Sequence, residues 1–336
     1  MIKSITINEL AKIANVSKST VSKALNDKPD IGAETKKRIL DIVQQYDFSP
    51  HPFGKGLKNK FTENVGVVFC RDMHPISANP FYSRVLEGVE AEIAFNNRNL
   101  MLQFVTEEQT KGIPKMLRER QVDGLILIGS MTREYIQLIQ SKDIPIVLVD
   151  PKFEIDSCSQ VVMDNEHGAF TATQYLINMG HKEIGFISGD MARLSFKQRF
   201  TGFLKAMKYH NLPVNEDYIS VGGMEKGYEH VLGLLKRKNK PTAIFSSNDI
   251  NAQYGYKAVH DLGLKVPDDL SIVGFDDIEL SHMVSPQLTT IRAYKEELGS
   301  IAVRNLLKLV ENRDQRPITS VIPVRLIERE SVRKIN

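Results

Sequence analysis

The chain has 336 residues, of which 42% are apolar, 25% charged and 7% aromatic; this suits two or three globular domains and excludes collagenous, low-complexity and coiled-coil classes. Charge is uneven: residues 1–60 hold 11 Lys and Arg against 6 Asp and Glu, net +5, while the other 276 hold 33 against 35, net −2. A basic head on a nearly neutral body suits a polyanionic partner. Mean hydropathy is −0.23, and no apolar run approaches the ~20 residues of a membrane-spanning helix. The first ten residues lack a secretory apolar stretch, so a cytoplasmic location is expected. The two cysteines, Cys70 and Cys158, lie far apart in strand-like sequence without zinc spacing, and both are expected to be reduced thiols in or near a core.

The basic head predicts three short helices. Thr6 and Glu9 form a capping box, and Ile7, Leu10, Ala11 and Ala14 follow at helical spacing. Ser17 is a second N-cap, ahead of an apolar set of Val21, Ala24 and Leu25 with Lys18, Ser19, Ser22 and Lys23 on the opposite side. A third helix is predicted over residues 33–46 with Ile39, Leu40, Val43 and Tyr46 as its buried stripe. Two helices joined by a tight turn and closed by a third describe a helix-turn-helix unit. The second helix of such a unit enters the major groove, which makes Lys18, Ser19 and Lys23 candidate base readers. Ser17, Thr20 and Asn26 suit phosphate oxygens.

The run Thr-Ile-x-Glu-Leu-Ala-x-x-Ala-x-Val-Ser-x-x-Thr-Val-Ser-Lys-Ala-Leu-Asn, starting at Thr6, resembles the headpiece of the LacI/GalR family of bacterial transcriptional regulators. The likeness continues through residues 46–50 into His51 to Leu57, where the family carries a hinge helix that forms on DNA and presses a leucine into the minor groove. The resemblance implies a DNA-binding surface of Thr6, Ser17, Lys18, Ser19, Thr20, Ser22, Lys23, Asn26, Lys55 and Leu57, with Leu57 as the wedge. Departures are specific. Lys23 stands where Arg is usual, replacing a bidentate guanine contact with a point charge. Gly54 and Gly56 each cost the hinge helix ~1 kcal/mol relative to Ala, so that helix is expected to be marginal without DNA. Gly32 removes a side-chain cap from the third helix.

From Asn64 onward, short apolar runs alternate with helical patterns. Val65–Cys70, Leu100–Val105, Gly124–Ile128 and Pro145–Val149 form one series, and Glu183–Ser188, Thr242–Ser246 and Ser271–Phe275 a second. Such βαβ alternation implies parallel sheets, in two lobes, with ligands held beyond the carboxyl ends of strands. Asp150, Asn248 with Asp249, and Asp276 with Asp277 stand at those ends. Each is also a common helix-capping type. Arg199 offers a fork of donors, and Phe81, Tyr82, Phe196 and Phe275 offer flat apolar faces, a set suited to a sugar.

Asn79-Pro80-Phe81-Tyr82, residues 122–126, residues 180–187 and Val273-Gly274-Phe275-Asp276-Asp277 are similar to the same family's effector domain. The resemblance implies an α/β fold: a small all-α helix-turn-helix headpiece, then a two-lobed α/β domain with parallel sheets, like type I periplasmic binding proteins. The domains expected are a headpiece over 1–49, a hinge or linker over 50–61, and an effector-binding and dimerisation domain over 62–336. Within the last, lobe one takes about 62–161 plus 292–320, and lobe two about 162–291 plus 321–336. Effector contacts fall by resemblance on Phe81, Tyr82, Asp150, Phe196, Arg199, Asn248 and Asp276. Arg199, three residues before Gly202, matches the arginine that grips the effector and argues against the branch whose main coregulator is a phosphoprotein.

No phosphate-binding loop, His-Glu-x-x-His or Gly-x-Ser-x-Gly motif occurs, so no catalytic residue is assigned. Asp276, Asp277 and Glu279 form an acidic cluster, but no metal and no cofactor are expected. The reading is a cytoplasmic repressor that binds double-stranded, near-palindromic operator DNA as a homodimer and answers to a small sugar-like effector. The family's leucine-heptad tetramerisation tail has no counterpart after Ser331, and no membrane partner is expected. The alternatives are a solute-binding protein that shares the trunk, a sugar-modifying enzyme, and a regulator controlled by a purine or a protein coregulator.

Overall fold

The computed structural model describes residues 6–25, 28, 30–46, 61–70, 79–223 and 226–335. The chain divides into two compact units, Met1–Thr62 and Glu63–Asn336. Most of the expected hinge, residues 50–60, lies outside the described residues.

In the first unit, α1 (Ile7–Ile13), α2 (Lys18–Leu25) and α3 (Ala33–Gln45) pack around one small core. The capping box is complete: Glu9 N–H donates to Thr6 Oγ1, and the Glu9 carboxylate accepts from Thr6 N–H at 2.7 Å. Ser17 Oγ accepts from Thr20 N–H at 3.1 Å and so caps α2. Gly32 precedes α3 and supplies no side-chain cap. Leu10, Ala11, Ala14, Val21, Ala24 and Ile39 are buried. The expected stripe on α3 needs correcting. Leu40 and Tyr46 are exposed, and Ile42 and Val43 pack beside Ile39 instead. Positions 39, 42 and 43 lie on one helical face, from which Leu40 is turned by about 100°, and Tyr46 lies past the end of the helix.

The second unit opens with β1 (Asn64–Cys70), α4 (Pro80–Phe95) and β2 (Asn99–Val105), then α5 (Lys115–Arg118) and β3 (Gly124–Gly129). It continues with α6 (Arg133–Gln140), β4 (Ile146–Val149), β5 (Ser159–Met163), α7 (Asn165–Asn178) and β6 (Ile184–Ser188). Next come α8 (Leu194–Tyr209), β7 (Ile219–Val221), α9 (Gly227–Leu235), β8 (Ala243–Ser246) and α10 (Asp249–Asp261). The last elements are β9 (Ser271–Asp276), α11 (Leu280–Met283), β10 (Thr289–Ala293), α12 (Lys295–Glu311), β11 (Thr319–Ile322) and β12 (Val324–Ile327).

Two six-stranded sheets result. The first has the order β11-β5-β4-β3-β1-β2 and the second β12-β10-β9-β8-β6-β7. All pairings are parallel except β10 with β12. Strands β3, β6, β8 and β9 are buried along their whole length, which is why each reads as a continuous apolar run. The chain passes between the sheets three times: from β5 into α7, from β10 into α12, and from β11 into β12. Helices α4 and α12 approach through glycine. A Cβ on Gly88 would meet the Glu296 carbonyl oxygen at 2.0 Å, and one on Gly299 would meet the Val85 carbonyl oxygen at 2.1 Å. Cys70 and Cys158 are free and buried.

Candidate functional site

The headpiece presents α2 as a hydroxyl-rich, basic surface. Ser17 Oγ shares hydrogen bonds with Ser19 Oγ at 2.7 Å and Thr20 Oγ1 at 2.8 Å, while Lys18 and Ser19 stand exposed. Lys23 Nζ lies 2.6 Å from Asp30 Oδ2, and this contact lowers the Asp30 pKa. Both groups are solvated, so a stronger anion can displace the pair at small cost. Thr6 is held in its cap, and Ser22 is half-buried on the same helix as Lys23. Asn26, Lys55 and Leu57 lie outside the described residues.

In the second unit, Phe81, Tyr82, Asp150, Phe196, Arg199, Asn248 and Asp276 all line one cavity at the carboxyl ends of strands from both sheets. It holds roughly 410 Å³ of empty space, part of it open to solvent. Local sequence explains each placement. Asn79 caps α4 by accepting from the N–H groups of Phe81 and Tyr82, and Pro80 occupies the first turn, so both aromatic rings are fixed at a helix start. Asp150 follows β4 with φ +48°, and Asp276 ends β9 with φ +112°. Left-handed backbone at a non-glycine residue is strained, and here it sits at the two carboxylates of the site. Asn248 follows β8 and caps α10, its Oδ1 accepting from Asn251 N–H at 2.8 Å. Phe196 and Arg199 are one turn apart on α8.

Arg199 is the best-anchored of these groups. Its Nε donates to Asn165 Oδ1 at 2.9 Å and its Nη1 to the Ser247 carbonyl at 2.5 Å, while the guanidinium lies 3.7 Å from the centroid of the Phe275 ring. Its Nη2 stands 3.1 Å from Asp276 Oδ1, yet that oxygen has no aligned hydrogen bond: the contact is an ion pair with an acceptor still unspent. Burial raises the Asp276 pKa, and the charges of Arg199 and Lys295 only partly offset it. Lys295 is itself buried and donates to the carbonyls of Asp276, Asp277 and Ala293. On the other wall, Tyr82 Oη donates to Asp150 Oδ2 at 2.7 Å. Two carboxylates, an amide, a guanidinium and the Phe81 and Phe196 rings therefore converge, which suits a ligand carrying several hydroxyls around an apolar frame.

Asp249 and Asp277, the other acids at strand ends, do not line the cavity. Asp249 is fully buried and accepts from Ile278 N–H, Ser281 Oγ and Thr290 Oγ1; burial, reinforced by Asp276, pushes its pKa up to about 7. Burial would raise Asp277, but hydrogen bonds from Arg329 and Arg292 at 2.6 Å each hold it below the usual range. Each acid of the cluster thus has its own cation: Arg292 and Arg329 for Asp277, Arg199 for Asp276, and Arg84 at 4.0 Å for Glu279. Phe275 lies under Arg199 rather than on the cavity wall. Sequence reasoning missed Asn79, Arg193, Ser195 and Ile250, which also line the cavity. Ser195 lies four residues before Arg199, a spacing that places both on one helical face.

Residues 6–51 match the family described as bacterial regulatory proteins, lacI family, and residues 173–332 match a periplasmic binding protein-like domain. The chain is 34% identical over 338 residues to the HTH-type transcriptional repressor PurR of Actinobacillus pleuropneumoniae serotype 3 (strain JL03), covering 98% of this chain and 99% of that one. It is 32% identical to catabolite control protein A of Priestia megaterium, at 98% and 99% coverage. Among solved structures, the lac repressor dimer bound to operator and the anti-inducer ONPF superposes with a TM-score of 0.85 at 22% identity, covering 98% of this chain and 100% of that one.

Proposed function

The chain belongs to the lacI family of bacterial regulatory proteins and is a DNA-binding transcriptional repressor with an effector-binding trunk, not an enzyme; on that premise we propose that its effector is a small polyhydroxylated, sugar-like molecule held between the two sheets. The observation that carries this reading is the convergence of Asp150, Arg199, Asn248 and Asp276 with two aromatic rings in one cavity. A sugar hydroxyl donates and accepts, so it can bridge Asp276 and Arg199, while a phenyl ring covers the apolar face of the sugar.

On the same reading the protein acts in the cytoplasm as a homodimer. Two headpieces read a near-palindromic operator through Lys18, Ser19 and Lys23, and the domain divisions are a headpiece to residue 49, a hinge to 61 and a trunk beyond. The effector acts by preferring one arrangement of the trunk, because a ligand of equal affinity for both arrangements shifts nothing. The test is a thermal-shift screen of the full chain against mono- and disaccharides, their phosphates and purines. A ligand at ~100 times its Kd raises apparent stability by ~2.7 kcal/mol. A sugar hit that disappears in Asp276→Asn supports the reading. A purine hit with silence from every sugar overturns the effector class and leaves the repressor assignment intact.

A further inference from the structure

The lysine at position 23 poses a problem of chemistry. A lone ammonium is a point charge with three rotatable donors, so it meets guanine O6 or N7, thymine O4 or adenine N7 alike and distinguishes base pairs poorly. Lys23 is not alone. The chain turns back at the end of α2, where Lys28 N–H donates to the Lys23 carbonyl at 3.1 Å. That return brings Asp30 beside the ammonium: Lys23 Nζ and Asp30 Oδ2 are 2.6 Å apart, and both side chains are exposed. Lys23 stands one turn after the exposed Ser19 on the same helical face, so the pair extends the surface that carries the candidate base readers. The ammonium holds the Asp30 carboxyl below its ordinary value, which keeps the acid ionised and able only to accept.

An exposed pair of this kind adds little to stability. Its geometry, however, has a counterpart in the major groove. There each base pair shows a keto oxygen and an amino group side by side, guanine O6 with cytosine N4 or thymine O4 with adenine N6. The hydrogen bond joining them is about 2.9 Å long, close to the separation of Nζ and Oδ2. The ammonium can donate to the free lone pair of the keto oxygen, while the carboxylate accepts the amino hydrogen that base pairing leaves unused. Orientation is then fixed, with the keto base under Lys23 and the amino base under Asp30. A reversed pair, C·G or A·T, sets ammonium against amino group and carboxylate against oxygen. Of the two allowed pairs G·C is the better, because guanine N7 gives the ammonium a second acceptor. In T·A the adenine N7 faces the carboxylate instead, and the thymine methyl faces the ammonium.

We propose that Lys23 and Asp30 together read one base pair of each half-site, as a donor–acceptor couple that selects G·C, tolerates T·A and rejects the two reversed pairs. The inference rests on the reading of Lys23 as a base reader and adds Asp30 as a specificity-determining residue. The carboxylate supplies the direction that a single ammonium lacks.

The experiment selects duplexes from a randomised library with the full chain. Binding of the selected site, carrying each of the four base pairs at every symmetric position, is then measured by fluorescence anisotropy across a salt series. The proteins are the parent, Asp30→Ala, and the double variant Lys23→Ala, Asp30→Ala, all changed only at exposed side chains. At one position per half-site the parent should rank G·C first, T·A about tenfold weaker and the reversed pairs weaker still. Asp30→Ala should lose about tenfold of the discrimination against the reversed pairs at that position alone. It should also bind arbitrary duplex more tightly, with a salt slope steeper by up to about 1, because Lys23 is released to a phosphate. An unchanged ranking in Asp30→Ala overturns the proposal. So does an equal gain for all four pairs, which would make Asp30 a mere screen for Lys23. If the double variant keeps the parent's preference at every position, Lys23 reads no base and the underlying reading fails with it.

Discussion

Asp249→Asn should flatten the dependence of trunk stability on pH. Asp249 has no exposed surface, and burial with the nearby charge of Asp276 pushes its pKa from 3.8 to about 7. A folded-state pKa above the unfolded one means the stabilising contribution is full below pH 3.8 and is lost as pH rises through about 7. Between pH 5 and pH 8 this one group should cost the parent roughly 2 to 3 kcal/mol, at 1.36 kcal/mol per pH unit over the ionising range. An asparagine can keep the three hydrogen bonds: its Oδ1 accepts from Ile278 and Ser281, and its amide donates to Thr290 Oγ1. The assay is urea unfolding at both pH values at constant ionic strength, followed by circular dichroism because the chain has no tryptophan. The parent should lose that increment while the variant does not. Equal pH slopes in the two proteins, within about 0.5 kcal/mol, would refute the assignment of a buried, proton-binding Asp249.

Replacing Arg199 with alanine leaves Asp276 buried with only the charge of Lys295 to offset it and leaves Asn165 Oδ1 and the Ser247 carbonyl without the donors they accept from, so thermal unfolding should show a loss of about 3 to 5 kcal/mol together with loss of any sugar-induced shift. Lys18→Ala with Lys23→Ala should weaken operator binding and lower the slope of log K against log salt by up to about 2, read by fluorescence anisotropy across a salt series. Gly88→Ala forces α4 away from the Glu296 carbonyl and should destabilise the trunk by about 1 to 3 kcal/mol in a denaturant titration, with headpiece binding to an isolated half-site unchanged.

The headpiece was legible because its signals are local. A hydroxyl at Thr6 or Ser17 and apolar residues three and four positions on determine a short helix whatever lies elsewhere. The strands that read clearly were those buried on both faces, such as β3 and β9. Strands β5, β7, β10, β11 and β12 do not stand out as apolar runs, because they are short or interrupted by Ser159 and Gln160, Ser220, Thr289 and Thr290, Thr319 and Ser320, and Arg325, which only their partners make sense of. Strand ends also told which acids stand near the cavity without telling which face it. Asp249 and Asp276 both follow apolar runs, yet Asp249 turns into the core toward Thr290 and Asp276 toward Arg199. What separates them is a partner far along the chain. Leu40 shows the same limit at shorter range, since neighbouring Ile39 and Leu40 are equally apolar and only packing chooses between them.

The triple passage of the chain between the two sheets also governs how the trunk can be made. Thr319 of β11 pairs beside Gln160 of β5 across 159 positions, and β12 pairs with β10 only after the long α12 and the whole of β11 have intervened. Neither sheet is therefore complete until residues 319–327 have left the ribosome. A fragment that reaches β10 but stops short of them leaves β5 and β10 each without the neighbour that β11 and β12 supply. The headpiece, by contrast, has its whole core within residues 7–43. During synthesis a DNA-binding head thus stands ready long before the part that pairs and regulates it, so a truncated chain would carry a single headpiece, fit for one half-site and free of effector control.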